Sequence, residues 1–301
     1  MSTKKHILSI IFNSKSKKDK CEKLTLKHAI MVIGYGEEAK VLQETINILD
    51  DKDIDFFIHW DKKYTKPILR KSKSKIYYIS NPISVKWGSS SLIKATIMLM
   101  EKVEKSPQCY DYAHLISSND IPLMTKGYFK SFFTKEAYIG FSRYDKKEYG
   151  AILERVKFYY PDNIDFRKHP IIYNFCTLIN KALHINRLNN YSNLHICKGS
   201  EWFSIKADLI KDILDYKYLS NFFHGNCADE IFIPTIFSDW KNTKISENRQ
   251  AARYIDWNRG TPYTFTLEDK NELNSKINTQ YAFARKVVDP ELPKCLFELK
   301  K

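Results

Sequence analysis

Ala29–Ile33 is an uninterrupted apolar run, the pattern of a strand buried on both faces, and Gly34-Tyr35-Gly36 ends it. Leu42, Ile46 and Leu49 then fall at helical spacing and predict a helix over 38–50. A second apolar and aromatic run, Ile54–Trp60, stops at Asp61, and Ile76–Ile79 makes a third strand. Leu92, Thr96, Leu99 and Val103, flanked by Ile93, Ile97 and Met100, give the clearest amphipathic helix, over 89–104. Ala113–Ile116 is a fourth strand, ending in Ser117-Ser118-Asn119-Asp120. This order predicts an α/β half of the kind that binds nucleotides, over 28–123. The second half, 124–301, is less regular, with strands near 137–142 and 201–205 and helices near 170–183, 207–216 and 229–238. The expectation is an α/β fold in one domain, 28–301, built on a central mixed sheet with the site on loops at the strand ends. Ahead of it, 1–27 reads as a basic segment, most of it polar and expected to be mobile.

Composition narrows the partners. Hydrophobic residues at 43% and charged ones at 28% exclude wholesale disorder. A net charge of +14 points to an anionic partner: nucleotide, nucleic acid or lipid headgroup. Cys21, Cys109, Cys176, Cys197, Cys227 and Cys295 are scattered with no CxxC pair, which favours a reducing compartment. The longest N-terminal apolar run, Ile7–Phe12, is too short for a signal-peptide core or a spanning helix. The expected location is therefore cytoplasmic. The N-terminal lysines would allow peripheral contact with the anionic inner face of the membrane.

Three segments bear on chemistry. Gly34-Tyr35-Gly36-Glu37-Glu38-Ala39 fits the letter of a dinucleotide fingerprint, with Asp61 ending the next strand. Glu37 and Glu38 would, however, face the pyrophosphate at a helix N-terminus that ordinarily attracts anions. Glycines that simply permit a tight turn account for the pattern as well. Asp61, beside such a cleft, is read either as a ribose or base ligand or as a turn former before Lys62-Lys63. Asp51-Lys52-Asp53 and Asp53-Ile54-Asp55 lie before the second strand, at the wrong end of the sheet for a metal-bound diphosphate. After the fourth strand stands the single carboxylate Asp120. No metal is expected, so cations must meet the charge on a leaving diphosphate: Arg285-Lys286, Arg253 or Arg259. Asp229-Glu230 opens a predicted helix, where Glu230 is either a first-turn acid that suits the helix dipole or a general base. Gly199-Ser200-Glu201-Trp202-Phe203 offers an indole face for a sugar ring, or a buried core tryptophan.

With these residues placed, the chain resembles glycosyltransferase family 14, the core-2/I-branching β-1,6-N-acetylglucosaminyltransferases and peptide O-xylosyltransferases. The likeness runs from about His28 to Val287. It rests on the His28–Tyr35 strand, Phe57-Ile58-His59-Trp60-Asp61, Val85-Lys86-Trp87-Gly88 and Ser118-Asn119-Asp120-Ile121-Pro122-Leu123. It also rests on the Gly199–Phe203 block, Ala228-Asp229-Glu230-Ile231-Phe232, Arg253-Tyr254-Ile255-Asp256-Trp257 and Phe283-Ala284-Arg285-Lys286-Val287. The resemblance implies a GT-A-like fold, a UDP-sugar donor, inversion at the anomeric carbon and no required metal or other cofactor. It implies Glu230 as catalytic base, Lys286 on the donor diphosphate and Asp61 on UDP. Asp120 takes the place of the missing metal motif, and Trp87 stands in one of the matching blocks. Tyr35 stands where members often have His. Trp202 lies in a block lining the site, and Glu154 and Arg155 fall where acceptor contacts are expected. The second diphosphate cation has no clear match, with Arg259 as first choice and Arg253 as reserve. Animal members carry a membrane anchor and disulfides. This chain shows neither and so resembles the bacterial branch, whose members are expected to build surface polysaccharides. The implied function is transfer of a sugar, most readily N-acetylglucosamine, from a UDP-sugar to a hydroxyl of a glycan or lipid-linked glycan. The competing expectations are an NAD(P)-dependent oxidoreductase using Gly34–Ala39 and a basic nucleic-acid-binding protein.

Overall fold

The computed structural model describes residues 25–162, 164–189 and 194–298. The N-terminal stretch expected to be mobile lies, apart from its last three residues, outside the described residues. His28–Gly34 is buried at every position and forms β1. Lys40–Leu49 forms α1, whose Val41, Leu42, Thr45, Ile46 and Leu49 turn inward. Ile54–Trp60 is β2, Ile76–Tyr78 β3, Ser91–Glu104 α2 and Tyr112–Ser117 β4. Ile121–Pro122 is β5, Lys126–Phe132 α3, Ala137–Tyr138 β6, Lys146–Lys157 α4 and Pro170–Ala182 α5. Ser204–Lys206 is β7, Leu209–Leu214 α6, Asp229–Ile236 α7, Glu247–Ala251 α8 and Arg253–Ile255 β8. Lys270–Asn274 is α9, Phe283–Arg285 β9 and Glu291–Phe297 α10.

The main sheet has the order β3-β2-β1-β4-β7-β6. β1 pairs in parallel with β2 on one side and β4 on the other, so Ile33 lies beside both His59 and Ser117. β7 runs antiparallel to β4 and β6, which makes the sheet mixed, as expected. Because side chains alternate, β1 feeds two cores. Ala29, Met31 and Ile33 pack with Ile93, Leu99 and Met100 of α2 and with Ile231 and Phe232 of α7. Ile30 and Val32 pack on the other face with Leu42, Ile46 and Leu49 of α1 and with Phe129 and Phe133.

Helices α3, α8, α9 and α10 lie outside the sequence reading, and so do two larger features. Helix α4 was not anticipated, although Asp145 and Glu148 form a reciprocal capping box at its start. A second sheet, β5-β9-β8, brings residues 121–122 against 283–285 and those against 253–255. Its strands are two or three residues long, too short to show a period. The strands expected near 137–142 and 201–205 are correspondingly short, at 137–138 and 204–206.

Candidate active site

A cleft of about 740 Å³ opens at the carboxyl ends of β1, β2 and β4. This is where parallel α/β sheets place ligands, because strand connections diverge to either side of β1 there. Ile33, Gly34 and Tyr35 line it after β1, Asp61 and Lys63 after β2, and Ser117 after β4. Gly34 is required by packing: a Cβ there would stand 2.2 Å from the Trp60 ring. Trp60 Nε1 in turn donates to the Gly36 carbonyl at 3.2 Å. The Gly34–Ala39 turn is thus shaped around an indole. Asp61 is buried at the rim, its N–H donating to Gly34 O at 2.8 Å. Its Oδ1 accepts the Lys63 N–H at 3.0 Å, and Lys63 Nζ stands 3.1 Å from Oδ2.

The small sheet contributes the next group. Arg285 ends β9, and its Nη1 donates to Asp120 Oδ1 at 2.8 Å. Asp120 is fully buried, and its Oδ2 accepts the Ser117 N–H at 2.9 Å. The Arg285 guanidinium also lies 4.3 Å from the centre of the Trp202 ring. An aspartate below and an indole face beside it therefore fix the cation at the cleft. Lys286 follows it and lines the same space.

The N-terminus of α7 supplies carboxylates. Arg155 Nη2 donates to Glu230 Oε2 at 2.8 Å, and Lys198 Nζ stands 3.6 Å from the same oxygen. Arg155 is itself anchored on the carbonyls of Asn226 and Cys227. Burial works against its charge, yet the neighbouring Glu230 carboxylate holds it firmly protonated. Glu230 keeps 35% of its side chain exposed to the cleft. Its neighbour Asp229 is buried, with Oδ1 unpartnered. Burial first, and the charge of Glu230 second, push its carboxyl up to about 7. Burial and the nearby Asp229 likewise raise Glu201, whose Oε1 is enclosed and unpartnered. Glu247 is raised by burial too, although Ser142 Oγ donates to it at 2.6 Å. Thus Glu230 is the carboxylate furnished with cations, while Asp229 and Glu201 are drawn toward the protonated form, a separation of roles that acid–base sites use.

Of the candidate residues read from the sequence, Glu230, Arg285, Lys286, Asp61, Tyr35, Trp87 and Trp202 line this cleft. Asp120 and Arg155 lie behind it and act through Arg285 and Glu230. Three placements correct the expectation. Arg253 is fully buried, with Nη2 donating to the carbonyls of Leu115 and Phe203 at 3.2 and 2.7 Å and Nη1 to Ala251 O at 2.9 Å. It ties the two sheets together, and burial lowers its pKa to about 9. Arg259 is engaged by Asp256, Asp269 and Glu272 at 2.5, 2.9 and 2.8 Å, away from the cleft lining. Glu154 pairs with Lys181 at 3.0 Å and does not line the cleft either. Arg285, read from the sequence together with Lys286 as a candidate cation, stands beside Lys286 in the cleft lining. The sequence reading did not place Lys63, Arg143, Arg167, Lys198, Glu201, Asp229, Glu247 or Trp257 in the site, although all line it. Glu201 and Asp229 are chain neighbours of Trp202 and Glu230, and that adjacency was the available signal.

The sequence pattern of the core-2/I-branching enzyme family (Branch) matches residues 29–276. The chain belongs to that family and is a glycosyltransferase. No curated protein matches it. Among solved structures, the apo structure of WbbM, a bifunctional glycosyltransferase, is similar over 72% of this chain at 9% identity with a TM-score of 0.37. This chain spans 38% of that one. The apo form of mouse xyloside xylosyltransferase 1 is similar over 77% of this chain and 89% of its own at 11% identity, with a TM-score of 0.35. Likeness at this level leaves the family match to carry the assignment.

Proposed function

We propose that this glycosyltransferase uses a UDP-sugar, with N-acetylglucosamine the first candidate, and transfers the sugar with inversion to a hydroxyl of a cell-surface glycan. The carrying observation is the meeting in one cleft of Glu230, held by Arg155 and Lys198, with the adjacent cations Arg285 and Lys286. In this reading Glu230 takes the proton of the acceptor hydroxyl as its oxygen attacks the anomeric carbon. The bond from that carbon to the diphosphate oxygen breaks on the opposite face. One displacement inverts the centre. The charge left on UDP is met by Lys286 and Arg285, an electrostatic role that a metal fills elsewhere. Metal independence is supported by Asp120, whose two oxygens are already engaged by Arg285 and the Ser117 N–H. Asp61 and Tyr35, at the β2 and β1 ends, are suited to the nucleoside, and Trp202 and Trp87 to sugar rings.

Cytoplasmic location belongs to the same reading. No described helix is long and apolar enough to cross a membrane. The lysines expected to contact the membrane from residues 1–24 lie outside the described residues.

The test is UDP release from a panel of UDP-sugars in excess EDTA, with NADH binding as a control. Slow hydrolysis of one UDP-sugar is expected. Turnover only after Mg²⁺ or Mn²⁺ is restored would break the cation argument, and no turnover or UDP binding under any condition would break the reading.

A further inference from the structure

Helix α5 is amphipathic in the reverse sense. Of its residues only Asn180 is buried, while Ile171, Phe175 and Leu178 are 82%, 61% and 65% exposed. Leu183, just past its end, is 66% exposed. At about 100° per residue, Leu178, Ile171, Ala182, Phe175, Ile179 and Ile172 share one arc of about 120°. All six are exposed. An outward apolar stripe of this size marks an interaction surface.

The helix does not need that stripe to stay in place. Asn180 Nδ2 donates to Tyr159 O at 2.9 Å, and its Oδ1 accepts the Tyr159 N–H at 2.8 Å. Tyr173 stacks on Tyr160 with ring centres 5.5 Å apart. The inner face is thus anchored by an amide and an aromatic ring, and the outer face is free to serve another purpose.

Charge identifies what covers it. Arg167 and Lys168 precede the helix and Lys181 stands in its last turn, all three exposed. Residues 166–200 contain no Asp or Glu. Lys181 reaches Glu154 at 3.0 Å and Arg167 reaches Asp165 at 3.6 Å, but both cations stay more than half exposed and such surface pairs exchange readily for headgroup phosphates. An apolar stripe bordered by cations fits the headgroup boundary of an anionic bilayer. Protein–protein interfaces, by contrast, are depleted in lysine. We propose that α5 docks the chain on an anionic lipid surface, with Ile171, Phe175, Leu178 and Leu183 inserted and Arg167, Lys168 and Lys181 on the headgroups. Arg167 also lines the cleft, its guanidinium 4.7 Å from the Trp87 ring centre, so docking brings the cleft mouth beside the lipid. The further consequence, that the acceptor is lipid-linked, rests on the proposed transfer reaction, whereas the docking itself does not.

Flotation of the full chain with vesicles tests this, using phosphatidylcholine alone and with about 30% phosphatidylglycerol, at about 0.15 M salt. The chain should float with the anionic vesicles only. F175S/L178S should lose at least about tenfold in partitioning, with an unchanged melting curve and unchanged UDP affinity. K168E/K181E should weaken partitioning in the same direction. A chain that stays down with anionic vesicles overturns the proposal. So does equal flotation of F175S/L178S, or binding lost only when residues 1–24 are removed. A dimer that F175S/L178S converts to monomer, without vesicle binding, would assign the face to a second copy instead. UDP binding reports on the active site throughout, so failure of the docking and failure of the transfer reading give different results.

Discussion

Two regions of the cleft hold arginine–carboxylate pairs of equal length, Asp120–Arg285 and Glu230–Arg155, both at 2.8 Å. They present opposite members. In the first, the aspartate is sealed beneath the surface and the arginine lines the cleft. In the second, the arginine lies behind, bound to two carbonyls, and the glutamate lines the cleft. The partner underneath fixes the one on display, and the identity of the displayed group decides the chemistry. A positioned cation suits a departing diphosphate, and a positioned carboxylate suits an incoming hydroxyl.

The sharpest way to break this comparison is to neutralise the displayed carboxylate. Glu230→Gln keeps the shape and should lower transfer by about 10²–10⁴-fold, measured as steady-state UDP release with acceptor present. Little change would leave Glu230 as a first-turn acid and nothing more. Neutralising the hidden carboxylate should act on the fold instead. Asp120→Asn leaves Arg285 without its charge partner and should cost about 3 kcal/mol in urea unfolding. A loss confined to activity would show that Asp120 works at the surface after all. Removing a displayed cation should be milder: Lys286→Ala is expected to weaken UDP binding by about tenfold to a hundredfold in calorimetry.

The remaining effect is the pH dependence of Asp229. Its raised carboxyl contributes fully below the ordinary aspartate range, where folded and unfolded chains both hold the proton. As pH rises from about 4 toward 7, the unfolded chain gives up its proton first and the folded state loses stability. Asp229→Asn cannot titrate, so its stability relative to wild type should climb by about 3 kcal/mol over that window. His28 and His114, whose pKa values burial lowers, act in the opposite sense in both proteins and cancel in the difference. A flat difference would show that Asp229 keeps its charge in the folded chain.

How much of this was legible follows from the same physics. Continuous apolar runs and helical spacing located β1, β2, β4, α1 and α2, because those elements are buried and periodic. That places the carboxyl ends of the strands, hence Tyr35 and Asp61. The second half depends on strands of two or three residues joined by contacts between distant positions. Asp120 and Arg285 are 165 residues apart, and no local pattern links them. Arg253 was misjudged because a charge in sequence says nothing of burial, and this one is sealed between two sheets and satisfied by carbonyls. Arg259 was misjudged because three acids close in sequence claim it first. Glu230 and Lys286 were candidates from local chemistry, an acid opening a helix and a late cation pair, and the resemblance chose a role for each.

Calorimetric UDP binding in EDTA, run side by side on wild type, Glu230→Gln and Lys286→Ala, tests the division of the cleft most directly. Wild type and Glu230→Gln should bind alike, with Lys286→Ala at least about tenfold weaker. If Glu230→Gln weakens binding as much as Lys286→Ala, or if wild type binds only with a divalent metal, the division between a cationic donor end and a basic acceptor end does not hold.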